Sequence, residues 1–202
     1  MNSPIDPKLA PPGAGLPTVE LFIGRLIFAL NRWTTNRERA TARFQREREA
    51  IRSLVSSCNA EVGKKRVLIA RPQGLEDSSR FWSVWMTLDH LRIVHHSLVR
   101  VIGALTHGVV PPGRASTADV KPSPDATQAV VAEYEASCEA LLATVAEAPD
   151  WHTRVRYAHP WFGPLNAAGW HALSGGHLRI HRVQVERILA GLETTPHLAD
   201  KR

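Results

Sequence analysis

From Arg25 to Val62 the chain carries neither proline nor glycine, and from Thr18 its apolar residues recur every three or four positions. Without the two residues that most readily interrupt a helix, this period predicts one long helix, straight or bent, starting at Thr18. Thr18 suits an N-cap, and Glu20 stands in the first turn, where the helix dipole favours a carboxylate. Val19, Phe22, Ile23, Leu26, Ile27, Leu30 and Trp33 form a wide apolar stripe of the kind that faces a core. The pattern continues through Ala40, Phe44, Ile51, Leu54 and Val55. Arg32, Arg39, Arg43 and Arg46 lie on the other side. They read as a solvated face rather than a phosphate-tracking stripe, so Arg39, Arg43 and Arg46 are expected to be exposed and nucleic acid is not an expected partner.

Three further helical segments follow. Residues 63–80 break the period: Arg66 to Ala70 suits a short extended piece, Pro72 and Gly74 punctuate a loop, and Ser78 or Ser79 is the expected cap of the next helix. That helix, FWSVWMTLDHLRIVHHSLVRVIGAL, is expected to bury Trp82, Trp85, Met86, His90, Ile93, Val94, Ser97 and Val101, with His95 and His96 round the side as surface or boundary residues. Residues 106–124 read as a long mobile connection. A third helix from Ser123 or Pro124 to Ala146 carries Tyr134, Cys138, Leu141 and Val145 inward. Its Glu133, Glu135, Glu139 and Glu147 oppose the basic first helix in sign. The fourth runs from near Asn166 to near Leu192. It holds Gly175 and Gly176, each costing roughly 1 kcal/mol relative to Ala in a helix, which predicts a kink or a place where something approaches the backbone just before His177. Four helices with no convincing sheet make an all-α bundle, spanning 18–192 between a proline-rich arm (1–17) and a polar tail (193–202).

Composition narrows the setting. At 202 residues and 22.3 kDa the chain suffices for one domain. No apolar run reaches the eighteen or so residues of a membrane span, so a membrane is not expected, and the first residues lack the pattern of a secretory signal. Two cysteines, Cys58 and Cys138, make no disulfide framework, which points to a reducing cytoplasm. A net charge of +6 is compatible with an acidic partner without demanding one.

The chemistry concentrates in HLRIH, residues 177–181. His177 and His181, four apart, share one helix face, and two imidazoles so placed can ligate one divalent ion. Leu178 stands where a zinc protease of the HExxH kind carries its general-base Glu, so that chemistry is excluded. Asp89 precedes His90 and projects about 100° away from it, leaving no inward carboxylate evident. Gln184 shares the face of the two histidines and can orient a ligand or bound water. Trp82, Trp85, Trp161 and Trp170 suit either an apolar cavity or ordinary core.

Two stretches carry a family likeness. WSVWMTLDHL (82–91) resembles the second-helix signature of the DinB/YfiT-like superfamily, and HPWFGPLNAAGWHALSGGHLRIHRVQVERIL (159–189) resembles its last helix. The resemblance covers roughly residues 18–192. It implies a four-helix bundle holding a divalent metal through one His of helix two and two of helix four, here His90, His177 and His181. Three neutral imidazoles leave a fourth coordination position open. They suit zinc, nickel, iron or copper, with zinc or nickel foremost. The implied activity is that of a metal-dependent S-transferase or hydrolase acting on a small molecule such as a thiol, with Gln184, Trp82 and Trp170 around the site. The alternative is a non-catalytic bundle with an interaction or stress-response role. A homodimer is compatible with either. The long first helix and the insertion at 63–80 exceed the simplest family pattern.

Overall fold

The computed structural model describes residues 7–194. Within that range the long N-terminal run is two helices: α1 (Thr18–Thr34) and α2 (Arg37–Ser56). Thr35 is extended, and the Asn36 side chain accepts from the Arg39 amide to cap α2. Asn and Thr compete locally for backbone hydrogen bonds, so a Thr-Thr-Asn sequence can end one helix and start another without Pro or Gly. A short helix α3 (Ala60–Gly63) leads into a two-stranded ribbon, β1 (Val67–Leu68) against β2 (Phe81–Trp82). The remaining helices are α4 (Val84–Thr106), α5 (Val130–Ala146) and α6 (Ala167–Glu193). A hairpin of β3 (Tyr157–His159) and β4 (Gly163–Leu165) precedes α6.

The four-helix bundle is α2, α4, α5 and α6. α6 packs on α2 and α4, and α4 packs on α5 as well. Its core is Phe44 and Ile51 of α2, Leu88, Leu91, Ile102 and Leu105 of α4, Tyr134, Cys138 and Leu141 of α5, and Leu178, Val185 and Ile188 of α6. The basic face of α2 meets the acidic face of α5: Arg48 lies 2.7 Å from Glu139, and Arg52 lies 2.7 Å from Glu135. Arg39 and Arg46 are exposed, whereas Arg43 is half-buried along α6. Cys58 and Cys138 are buried free thiols. No helix among the described residues is long and apolar enough to cross a membrane.

Several expectations are corrected. α1 does not bury its apolar stripe: Val19, Phe22, Ile23, Leu26, Ile27, Leu30 and Trp33 are all exposed. Its other face is the one that meets the bundle. There Glu20 pairs with Arg71 and accepts the Gly74 amide, Arg25 donates to the Trp161 carbonyl, and Phe28 packs on Phe162. The cap of α4 is Ser83, which accepts from the Met86 amide, because Phe81 and Trp82 are held in the β1–β2 ribbon. α5 starts at Val130, the preceding residues being taken up by turns at Ser123–Ala126 and Thr127–Val130. The two ribbons are too short for a period-two pattern to announce them.

α6 runs through both glycines without a break. At Gly175 the close approach is real: a Cβ there would lie 3.0 Å from Arg43 Cγ and 3.2 Å from the Phe44 nitrogen. At Gly176 nothing lies within 4 Å. Gly175→Ala is therefore expected to lose about 1–3 kcal/mol by overpacking. Gly176→Ala should gain about 0.5–1 kcal/mol from helix propensity. Opposite shifts in thermal midpoint would establish that α2 and α6 touch backbone to backbone here. Stabilisation by both substitutions would refute it.

Candidate metal centre

Because α4 and α6 pack directly, His90 on α4 comes to the face of α6 that carries His177 and His181. The three Nε2 atoms converge: that of His177 lies 3.2 Å from that of His90 and 3.2 Å from that of His181. The outer ring nitrogens of His90 and His181 are held. His90 Nδ1 stands 2.6 Å from the Val120 carbonyl, and His181 Nδ1 stands 2.7 Å from Gln184 Oε1. Gln184 in turn donates from Nε2 to the Ser79 carbonyl, which sets the orientation of its amide. A carbonyl oxygen only accepts, so both imidazoles carry their proton on Nδ1 and turn a bare lone pair inward at Nε2.

Two lone pairs pointing at a third imidazole nitrogen repel unless something positive lies between them. A proton on His177 Nε2 would satisfy only one of the two; a cation satisfies all three. Nitrogens bound at 2.0–2.1 Å in a tetrahedral arrangement sit about 3.3 Å apart, close to the spacing seen. The donor set and its spacing thus fit a divalent ion. The electrostatics agree. Burial, and then the neighbouring His177, hold His90 and His181 well below the ordinary 6.5, and burial brings His177 down to about 4. All three are neutral near neutrality, the state that ligates. His90 and His181 are buried and His177 is half-buried, the most exposed of the three.

The surroundings come from segments distant in sequence. The Trp82 ring lies parallel to His181 at 6.2 Å and tilted to His90 at 5.2 Å. Lys121 Nζ sits 5.4 Å above Trp82 and donates to Ser78, Ser79 and the buried Glu76. Burial pushes the Glu76 carboxyl up, but hydrogen bonds from Thr117 and Lys121 outweigh it and keep it below its ordinary value. The N-terminal arm is fastened to the same turn, through Gly13 to Glu76 and Ala10 to Asp77. The connection after α4, expected to be mobile, is thus pinned where its Val120 carbonyl orients His90. Asp89, though buried, points elsewhere: it pairs with Arg92 and accepts the Ser123 amide. Trp170 joins the β3–β4 hairpin, donating to the Tyr157 carbonyl and packing against His159. Among the described residues no hydrogen bond or ring contact joins it directly to the three histidines, although its neighbour His159 feels the charge of His177.

His95, expected at the surface or its boundary, is fully buried instead. α4 packs against both α5 and α6, so its buried arc is wider than one stripe. His95 Nδ1 lies 3.0 Å from Ser137 Oγ and 3.7 Å from Cys138 Sγ, and burial brings its pKa down to about 3.

The model of the DinB superfamily matches residues 43–185. The chain belongs to the DinB superfamily. The match starts within α2 and ends within α6, so the DinB portion holds all three histidines while α1 and the arm precede it. The DinB fold here is similar to the crystal structure of TT2238, a four-helix bundle protein, with a TM-score of 0.53 and 22% identity. That likeness covers 75% of this chain and 98% of the other. No curated protein matches the chain.

Proposed function

We propose that this DinB-superfamily chain is a metal-dependent enzyme that binds zinc or nickel through His90, His177 and His181 and acts on a small molecule by thiol transfer or hydrolysis. The observation that supports this reading is the convergence of three Nε2 atoms at 3.2 Å, two of them with their tautomer set by Val120 and Gln184. When bound, such an ion lowers the pKa of a water or thiol in its open position. The protein's own part is electrostatic and steric. Three neutral imidazoles leave the ion its full charge, since no carboxylate among the described residues is grouped with them. Gln184 and Val120 hold two rings in ligating orientation. The Trp82 ring packs against His90 and His181, which keeps the local dielectric low and the field strong. The lack of an inward carboxylate suits a reaction in which activation of the nucleophile needs no general base, as with a thiolate.

The test is metal analysis on protein purified without a histidine tag, followed by assays of thiol addition to electrophiles and of ester and amide hydrolysis. About one equivalent of zinc or nickel per chain, with turnover that a chelator abolishes, is the expected result. Protein that takes up neither ion at micromolar concentration would remove the basis of the reading, and bound metal without turnover in any assay would favour a non-catalytic bundle.

A further inference from the structure

Helix α1 carries its amphipathic pattern inside out. The face toward the bundle holds the polar contacts of Glu20 and Arg25, and the face toward solvent holds seven large apolar side chains. Phe22 is 70% exposed, Leu26 56% and Trp33 95%. At about 150–250 Å² for a whole aromatic side chain, the seven together present on the order of 1,000 Å² of apolar surface, against the few hundred that the largest patch of a monomer usually spans.

We propose that this face is the contact surface of a homodimer, with α1 packed antiparallel against α1 of a second copy. Three features point to a second copy. A standard interface buries about 800 Å² per partner, which the patch meets. The stripe runs about 21 Å from Val19 to Trp33 and is balanced about Leu26. In an antiparallel pair Val19 meets the partner's Trp33, Phe22 meets the partner's Leu30, and Leu26 meets its own counterpart on the two-fold axis, the isologous arrangement of a cyclic dimer. Lastly, a helix built for a lipid surface carries free lysines and arginines beside its apolar face. The two cations of α1 are directed to the protein: Arg25 donates to Trp161, and the Arg32 guanidinium lies over the Phe28 ring. The surface also lies outside residues 43–185, so it adds an assembly element to a DinB bundle that is closed without it.

Sedimentation and light scattering of the full chain at micromolar concentration should give twice the 22.3 kDa of one chain. Leu26→Glu puts two carboxylates face to face on the axis and should weaken the dimer by about 100-fold or more, with the helical circular dichroism unchanged because the site is exposed in the protomer. Leu30→Glu serves as a second variant. Leu26→Cys should cross-link to itself under mild oxidation, while Phe22→Cys should not, since its counterpart lies about 12 Å away along the axis, beyond disulfide reach. A monomer at tens of micromolar would overturn the proposal. So would a dimer indifferent to both Glu variants, or a Phe22→Cys cross-link in preference to Leu26→Cys. Monomeric protein that floats with phosphatidylserine vesicles, and loses this with Leu26→Glu, would assign the face to a lipid surface instead.

Discussion

Replacing His177 with alanine is expected to lower zinc or nickel affinity by more than about 100-fold while leaving the helical content intact. Loss of one of three ligands exceeds the roughly 10–100-fold cost of removing a group that only orients a ligand. The fold survives because α6 is held by Leu178, Val185 and Ile188, which face the core beside the histidines, and four packed helices bury enough apolar surface to stand without an ion. A zinc finger, by contrast, unfolds when stripped. Gln184→Ala should fall in the lower range, since it frees His181 to take the wrong tautomer without removing a ligand. Isothermal titration with both ions, read beside far-ultraviolet circular dichroism, separates these outcomes. Collapse of the helical signal when the wild type is chelated at neutral pH would instead make the ion structural and move the weight to the non-catalytic reading.

Metal-free protein is expected to lose stability steeply between about pH 6.5 and pH 4. Burial is the first cause of every shift involved: His171, His159 and His177 fall to about 4, His95 to about 3, and His90 and His181 well below their ordinary value. In the unfolded chain the same imidazoles take up protons as pH drops through 6.5. The unfolded state therefore binds more protons across this window, and stability falls as pH falls. Each imidazole kept neutral contributes roughly 1.4 kcal/mol per pH unit to that slope. Several acting together can exhaust the ordinary 5–15 kcal/mol of a domain within about two units. Bound metal should shift the midpoint to lower pH, because an ion that binds only the folded state adds stability that protonation of the unfolded chain must overcome. All six imidazoles still take up protons on unfolding. Unfolding monitored against pH with and without zinc tests this. A midpoint that stays below pH 4 without metal would refute the assigned burial of these groups.

The helical bundle was legible because its signals are periodic and local. Asn166 caps α6 where the sequence suggested, and the i, i+4 spacing of His177 and His181 fixes a shared face whatever packs against it. α1 shows the limit of that kind of inference: a stripe at helical spacing states that an apolar face exists and is silent on what covers it. The division of α1 from α2 at Thr35 and Asn36 was hidden because the residues that stop a helix there are common inside helices too. His95 escaped because one helix taken alone does not reveal how many neighbours it has. The orienting partner of His90 is a backbone carbonyl, at Val120, which has no side-chain signature at all. Lys121 and Glu76 similarly meet across segments that no spacing rule connects.

The histidine cluster draws on four stretches of chain: the turn at Asp77–Ser79, the start of α4, the segment ending at Val120, and the middle of α6. His90 and His177 are 87 residues apart. Contacts of such separation form late, after the loop-closure entropy has been met by hydrophobic association. An ion cannot serve as a folding nucleus for this chain, and a nascent chain offers it only the HLRIH pair. An ion held by these three histidines would therefore be taken up after folding, and would meet a preformed site rather than a flexible peptide that could mould itself to whichever ion arrives first.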